Sequence, residues 1–259
     1  YTILTMPNSW YYDNPETEAN DINQISQNIA NGLGIIGQVL EKARDQVIFT
    51  WREQVSYERG VKHFPFATNL LVPDIAFQLG PYQSVRSSDT VDLLVLLRDD
   101  QESVYTNQRN RQAFRNILNN TPGARDLSFS IVDWKDRLLR FDSTDIFFTE
   151  TAVQLLSLGK VVICDRLHAA ILAYLVGLPF VYLDQKTGKI TKTLSVAFDG
   201  CDGDAHWARA DNLTHAVRQA IDFMHQHEPT PLTRQERREK LRQAQQKKSK
   251  EIADRGDRR

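Results

Sequence analysis

The sequence predicts an α/β protein built on a doubly wound parallel sheet, and three observations carry that prediction. Residues 159–184, GKVVICDRLHAAILAYLVGLPFVYLD, read as strand, helix, strand in one short stretch. The same alternation runs back to Val91, so that residues 91–184 spell β-α-β-α-β-α-β, the order of a parallel sheet with helical crossovers. A polar, turn-rich stretch, Gly80–Ser88 with Pro81, separates this series from an earlier one. The expected organisation is therefore residues 1–85 as one domain, 90–228 as a second, and 229–259 as a basic solvated tail.

Each element has a local reason. Thr2–Thr5 reads as a strand stopped by Met6-Pro7-Asn8-Ser9. Trp10, Tyr11 and Tyr12 then cluster before a polar segment, and are read as packing under a loop. Gly32-Leu33-Gly34 is too short for a phosphate-binding fingerprint. Ile35–Arg44 has helical spacing, with Ile35, Ile36, Val39, Leu40 and Ala43 on one face. Val47–Thr50 is a strand, and Trp51–Glu58 is expected to open the next helix. Leu70–Phe77, LLVPDIAF, follows as a strand that Pro73 marks as an edge or an end.

In the second series, Val91–Leu97 is the most strand-like run of the chain. Asn107–Leu118 is an amphipathic helix ended by Thr121-Pro122-Gly123. Leu127–Val132 alternates as a strand, and Phe148–Leu158 is the helix leading into the strand Lys160–Cys164. His168–Val176 is a helix stopped by Gly177 and Pro179. Phe180–Leu183 is the last strand of the run. Lys186–Leu194 is read as a basic loop-to-helix turn, Asp199–Asp204 as a loose acidic loop, and Asp211–His225 as an amphipathic helix. His225 and His227 near its end are read as exposed histidines, because no partner for a metal stands nearby.

Composition narrows the function classes. The apolar fraction is 41%, ordinary for a globular protein, and the formal net charge of −1 makes no overall case for nucleic acid. Two cysteines, Cys164 and Cys201, are too few for a disulfide framework or a cysteine-rich zinc site. No apolar run reaches the roughly 20 residues that span a bilayer. The chain starts at Tyr1, inside an expected strand, and an N-terminal portion is expected to be missing. Asn119 and Asn212 begin glycosylation sequons, which are usable only in a secretory compartment. The segment after Pro229 is rich in Arg, Lys and Gln, with five Arg or Lys between Arg234 and Arg242. Without aromatics to stack on bases, it is read as solvated.

Three arginines fall at strand exits: Arg52, Arg98 and Arg166. Asp165, Arg166 and His168 stand where a strand hands over to a helix, the usual place of the ligand crevice in open α/β sheets. Free main-chain N–H groups and the helix dipole favour anions there. Guanidinium groups grip carboxylate and phosphate as a fork, which lysine cannot copy. If arginines from both domains converge, the ligand they suit is small and multiply anionic. Lys189, among Lys186 and Lys192 beside Gly188, would add a point charge.

Three strings carry a resemblance. CDRLHAAILA followed by GLPFVYL resembles the signature of the polysaccharide pyruvyl transferase family, a strand running into x-R-L-H-A and then G-x-P. WREQVSYERG resembles that family's R-[DE]-x-x-S segment, and LLVPDIAF its next strand with a Pro-Asp pair. The likeness covers most of residues 1–200 and is nearest to fungal-type enzymes that pyruvylate galactose on glycans. It implies two Rossmann-like domains around a cleft, as in GT-B-like glycosyltransferases, with the N-terminal domain incomplete here. It also implies transfer of the pyruvyl group of phosphoenolpyruvate to sugar hydroxyls as a cyclic ketal.

On that resemblance the expected partners are phosphoenolpyruvate and a galactose-containing glycan. His168 and Arg166 are expected as catalytic residues. Arg52, Arg98, Lys189, Ser56 and Asp165 are expected to bind substrate. No metal or cofactor is called for, because arginines neutralise the donor. The compartment is open, and would be the Golgi lumen if a missing N-terminal anchor existed. Two other readings fit the same residues: a nucleotide-sugar glycosyltransferase with its cations on a diphosphate, and a non-catalytic anion- or glycan-binding protein.

Overall fold

A computed structural model describes residues 2–9, 46–82, 90–100, 103–105, 110–134, 145–198 and 206–226. The chain divides into two compact units: residues 1–75 with 192–197, and residues 76–191 with 198–259. The expected helix at 35–44, the aromatic cluster at 10–12, most of the expected boundary at 80–88, the acidic loop from Asp199 to Asp204 and the basic tail lie outside the described residues. Among the described residues, no helix is long and apolar enough to cross a membrane.

The first unit holds a parallel sheet of β1 (Ile3–Leu4), β2 (Val47–Trp51) and β3 (Thr68–Leu71), with β2 in the middle. The register pairs Ile3 with Val47 and Thr50 with Leu70. Beyond β1, the Thr50 hydroxyl donates to the Thr5 carbonyl at 2.5 Å, and the Thr5 hydroxyl accepts the Thr50 N–H at 3.0 Å.

Helix α1 (Gln54–His63) starts later than expected, because Trp51 completes β2 and the extended Glu53 is the N-cap. Carboxylates at an N-cap satisfy the free N–H groups of the first turn. Here Glu53 accepts Val55 N–H at 2.9 Å and Ser56 N–H at 2.6 Å. The helix lies tight on the sheet at Gly60. A Cβ there would stand 2.4 Å from Trp51 Nε1 and 2.6 Å from Asn69 Oδ1, two atoms that share a 2.8 Å hydrogen bond.

LLVPDIAF is not one strand. β3 ends at Leu71, and Ile75–Leu79 is a short 3-10 helix. Pro73 has no N–H to give a ladder, so pairing stops ahead of it.

The second unit holds the parallel sheet that the sequence predicts. Its strands are β4 (Val91–Leu96), β5 (Phe129–Val132), β6 (Gly159–Cys164), β7 (Phe180–Leu183) and β8 (Trp207–Ala210), in the spatial order β5-β4-β6-β7-β8. Its helices are α2 (Arg111–Asn119), α3 (Asp145–Leu156), α4 (Leu167–Val176), α5 (Lys189–Ala197) and α6 (Leu213–Gln226). From Lys192 onward, α5 groups with the first unit.

Alternation along each strand sends side chains to opposite faces. Leu93, Val95, Val161, Ile163, Val181 and Leu183 join Phe114, Leu118, Ala216 and Val217 from α2 and α6 in one core. Leu94, Leu96, Val162, Cys164 and Phe180 alternate with them, and are equally buried on the face covered by α3 and α4. Each Leu, Val, Ile or Phe among them contributes roughly 1.5–3 kcal/mol on burial. Apart from His168 and the partly exposed Tyr174, helix α4 is apolar, with Leu167, Ala169, Ala170, Ile171, Leu172, Ala173, Leu175 and Val176 all buried. Gly177 ends it in the left-handed conformation at φ 74°.

Strand β8 is absent from the sequence reading. Its four residues, WARA, carry one charge and no β-branched side chain, and pairing with β7, Tyr182 against Arg209, is what makes them a strand.

Candidate functional site

In the second unit the chain leaves β4 for β5 on one side, and β6 lies on the other. A switch of this kind opens a crevice beyond the carboxyl ends of the strands. Arg98 follows β4, Asp133 follows β5, Asp165 and Arg166 follow β6, and Asp184 and Gln185 follow β7. Strand ends in a parallel sheet face one way, so these polar residues share one edge.

Asp165 ties that edge together. Its carboxylate is buried, accepting the Arg98 main-chain N–H at 2.8 Å and the Ser103 hydroxyl at 2.8 Å. Its main-chain carbonyl accepts Gln185 Nε2 at 2.8 Å, which brings in the end of β7. Burial raises the Asp165 pKa above the usual carboxylate range, and the Ser103 and Arg98 hydrogen bonds offset only part of that rise. Asp165 was expected to touch substrate. Its burial and its partners make it a support for the loop after β4.

Arg166 occupies the N-cap position of α4, yet its side chain makes no capping bond. It crosses the end of β4 instead, placing Nη2 2.5 Å from Asp133 Oδ1. The Asp133 side chain is 1% exposed and that of Arg166 17%. Nε of Arg166 is buried without a partner, and Nη1 makes no hydrogen bond among the described residues. His168, two residues on, is exposed in the first turn of α4.

The Arg98 side chain is turned to its own loop. Nε and Nη2 both reach the Asp100 carboxylate at 2.8 Å. That contact already uses one edge of its fork. Lys189 is the first residue of α5, partly exposed, and follows Gly188 at φ 66°. Asp184 Oδ1 accepts the Ile190 N–H in that first turn at 3.1 Å.

A similar device stands at the carboxyl edge of the first unit's sheet. Arg52, just past β2, sets Nη1 2.6 Å from Asp74 Oδ2 and Nε 2.7 Å from Ser9 Oγ. Asp74 is 1% exposed. Nη2 of Arg52 makes no hydrogen bond among the described residues. Ser56, also expected to bind substrate, is buried, and its hydroxyl is given to Glu53 Oε1. It shapes the start of α1.

The sequence-derived residues thus fall into two groups. Arg98, Asp165 and Arg166 share the edge of the second unit with His168 and Lys189. Arg52 and Ser56 belong to the edge of the first. Asp133, Ser103, Gln185, Glu53 and Ser9 escaped the sequence reading. The available signal was a polar residue directly after an apolar run, as in SIVDW for Asp133. Among the described residues, no group of three or more His, Cys, Asp or Glu side chains is disposed to hold a metal ion. Cys164, fully buried beneath the site with its thiol pKa pushed up by burial, is unreactive in the folded chain.

Comparison with known proteins bears on this geometry. The sequence pattern of the family described as "Polysaccharide pyruvyl transferase" matches residues 20–187. Pyruvyl transferase 1 of Schizosaccharomyces pombe is 28% identical over 204 residues, covering 72% of this chain and 50% of the yeast protein. The chain therefore spans about half the length of that curated relative. Among solved structures, a functionally uncharacterised protein of Klebsiella pneumoniae is similar with a TM-score of 0.45 and 15% identity, over 82% of this chain and 64% of that one. The family pattern takes in the RLH turn, the WRE turn and the strands between them over more than half of the sequence, and the chain belongs to the polysaccharide pyruvyl transferase family.

Proposed function

We propose that the chain transfers the pyruvyl group of phosphoenolpyruvate to two hydroxyls of a sugar, galactose of a glycan, forming a cyclic ketal and releasing phosphate. Family membership supports the reaction class. The observation that carries the choice of donor is the state of two arginines. Arg52 and Arg166 are each anchored by a buried aspartate, and each keeps one terminal guanidinium nitrogen without a partner among the described residues. A compact donor with a carboxylate and a phosphate suits such groups.

The steps follow from the donor's chemistry. An acid delivers a proton to the methylene carbon of the enol, which becomes the ketal methyl group. The neighbouring carbon, now electron-poor, accepts one sugar hydroxyl, and the C–O bond to phosphate breaks. A second hydroxyl closes the ring. One of the two hydroxyl protons replaces the proton consumed at carbon, and the other leaves with phosphate. His168 is exposed beside Arg166 and is the acid–base group in this scheme. Arg166 holds an anionic end of the donor and stabilises the departing phosphate, and Arg52 is a further donor-binding candidate. Lys189 adds a point charge. Arg98 takes a lesser part, because Asp100 already engages its guanidinium.

The test is mass spectrometry of galactosides incubated with the chain and phosphoenolpyruvate. Products heavier by one pyruvyl ketal, formed with release of one phosphate each, are expected. Tight binding of a nucleoside diphosphate in place of phosphoenolpyruvate would overturn the proposal.

A further inference from the structure

We infer that Asp133 is a positioning residue for the donor, acting through Arg166 and fixing which edge of its guanidinium meets the ligand. The inference rests on the reading of Arg166 as a donor-binding group.

The argument begins with strand order. Asp133 follows β5 and Arg166 follows β6, and β4 lies between them. Adjacency along the chain or across one ladder does not bring them together. The arginine has to span the end of β4 to make its 2.5 Å contact.

The energetics favour orientation over stability. A carboxylate that is 1% exposed has given up nearly all of its water. A pair of that kind adds little net stability compared with apolar residues of equal volume. It also cancels part of the attraction that the arginine would exert on an anionic donor. What the pair does supply is a fixed guanidinium plane. Nη2 is engaged, Nε is buried against the protein, and Nη1 is the atom left over. A long arginine side chain without such an anchor samples many rotamers, and a donor would have to order it on binding.

The first unit supplies independent support. Arg52 is held by Asp74 at 2.6 Å, again through one Nη to an aspartate that is 1% exposed and follows another strand. There, too, the other Nη is left over. Two arginines in separate sheets have one solution to the same problem.

The experiment is calorimetric titration of phosphoenolpyruvate into four forms of the full chain: wild type, Asp133→Asn, Arg166→Gln and the double variant. Each is also followed by thermal melting. Asp133→Asn is expected to weaken binding by up to about tenfold, the cost of ordering one rotamer-rich side chain on binding. Arg166→Gln is expected to weaken it further, and the double variant to bind no more weakly than Arg166→Gln alone. A merely structural aspartate would give additive losses, and additive losses would overturn the inference. So would unchanged or tighter binding by Asp133→Asn, the result expected if the lost negative charge were all that mattered. If Asp133→Asn has no cooperative melt, Asp133→Glu keeps the charge but displaces the carboxylate, and unchanged binding by that variant counts against the inference equally. Failure of the wild type to bind phosphoenolpyruvate would overturn the donor reading itself, and this inference with it.

Discussion

Asp165 Oδ1 accepts the main-chain N–H of Arg98 at 2.8 Å, so a carboxylate at the end of one central strand holds the backbone at the end of the next. The contact joins the two strands between which the chain changes direction. Replacing Asp165 by Ala removes this bond and the one from Ser103 and leaves two donors, one buried and one partly buried, to find other partners. Each such group costs about 1–3 kcal/mol. A loss of at least that size in urea denaturation is expected, with Asp165→Asn milder because its amide can still pair with both groups.

The same carboxylate sets a pH dependence. Burial lifts its folded-state pKa above the value in the unfolded chain. A raised acid pKa contributes stability that is fully present below the unfolded value and lost as pH rises through the folded value. Wild type should therefore lose stability relative to Asp165→Asn as pH rises through that window, and hold a constant difference above it. Denaturation midpoints of both forms across the acidic range check the sign.

His168→Ala should leave the fold intact, because the side chain is exposed, and exposed substitutions move stability by about 0.5 kcal/mol or less. Turnover should fall by roughly 10²–10⁴-fold, the usual contribution of a positioned acid or base. Phosphoenolpyruvate binding should change only a few-fold. Phosphate release and calorimetry on one preparation separate these effects, and full turnover by the variant would remove His168 from the mechanism.

Arg52→Lys keeps the charge and loses the fork. A lysine ammonium cannot keep both the Ser9 contact and the Asp74 contact while presenting a second nitrogen to a ligand. Donor affinity is expected to fall about tenfold or more, because a hydrogen bond to a charged group contributes about 1.5–3 kcal/mol. Thermal stability should drop only modestly. Titration of phosphoenolpyruvate against both forms decides it.

Gly60→Ala sets two effects against each other. Alanine is a better helix former than glycine by about 1 kcal/mol. Its Cβ would meet the Trp51 ring and the Asn69 amide closer than atoms pack, and overpacking typically costs 1–3 kcal/mol. Opening the hydrogen bond between those two side chains adds to the loss. Net destabilisation is expected, read as a lower melting temperature. A stabilised variant would mean that α1 can lift from the sheet at no cost.

The parts legible in the sequence were those with uniform chemistry. Strand β6, helix α4 and strand β7 lie within about a residue of their predicted limits. They are short apolar runs bracketed by Gly159, Gly177 and Pro179. The start of α1 was less legible because its cap is a glutamate, and because Trp51 suits a strand as well as a helix. Arg166 stood out as a cation at a strand exit. Asp133 did not, because its significance lies in β5 being two strands away from β6, and that order is set by tertiary packing. Ser56 and Asp165 read from sequence like the arginines beside them, as polar residues near a strand exit, and the structure buries both. Nothing local distinguishes a polar side chain that faces a ligand from one that faces a buried donor.

Helix α4 has one more consequence. From Ala169 to Ala173 every position is enclosed, so the helix offers no exposed stripe along which an inserted residue could be absorbed. An insertion there would turn everything after it by about 100° and drive apolar side chains against the wrong neighbours. The distance in sequence from Arg166 to Gly177 is therefore set by packing, independently of what the arginine binds. In distant relatives that interval should keep its length even where the residues at both ends have drifted, which makes it a ruler for aligning them.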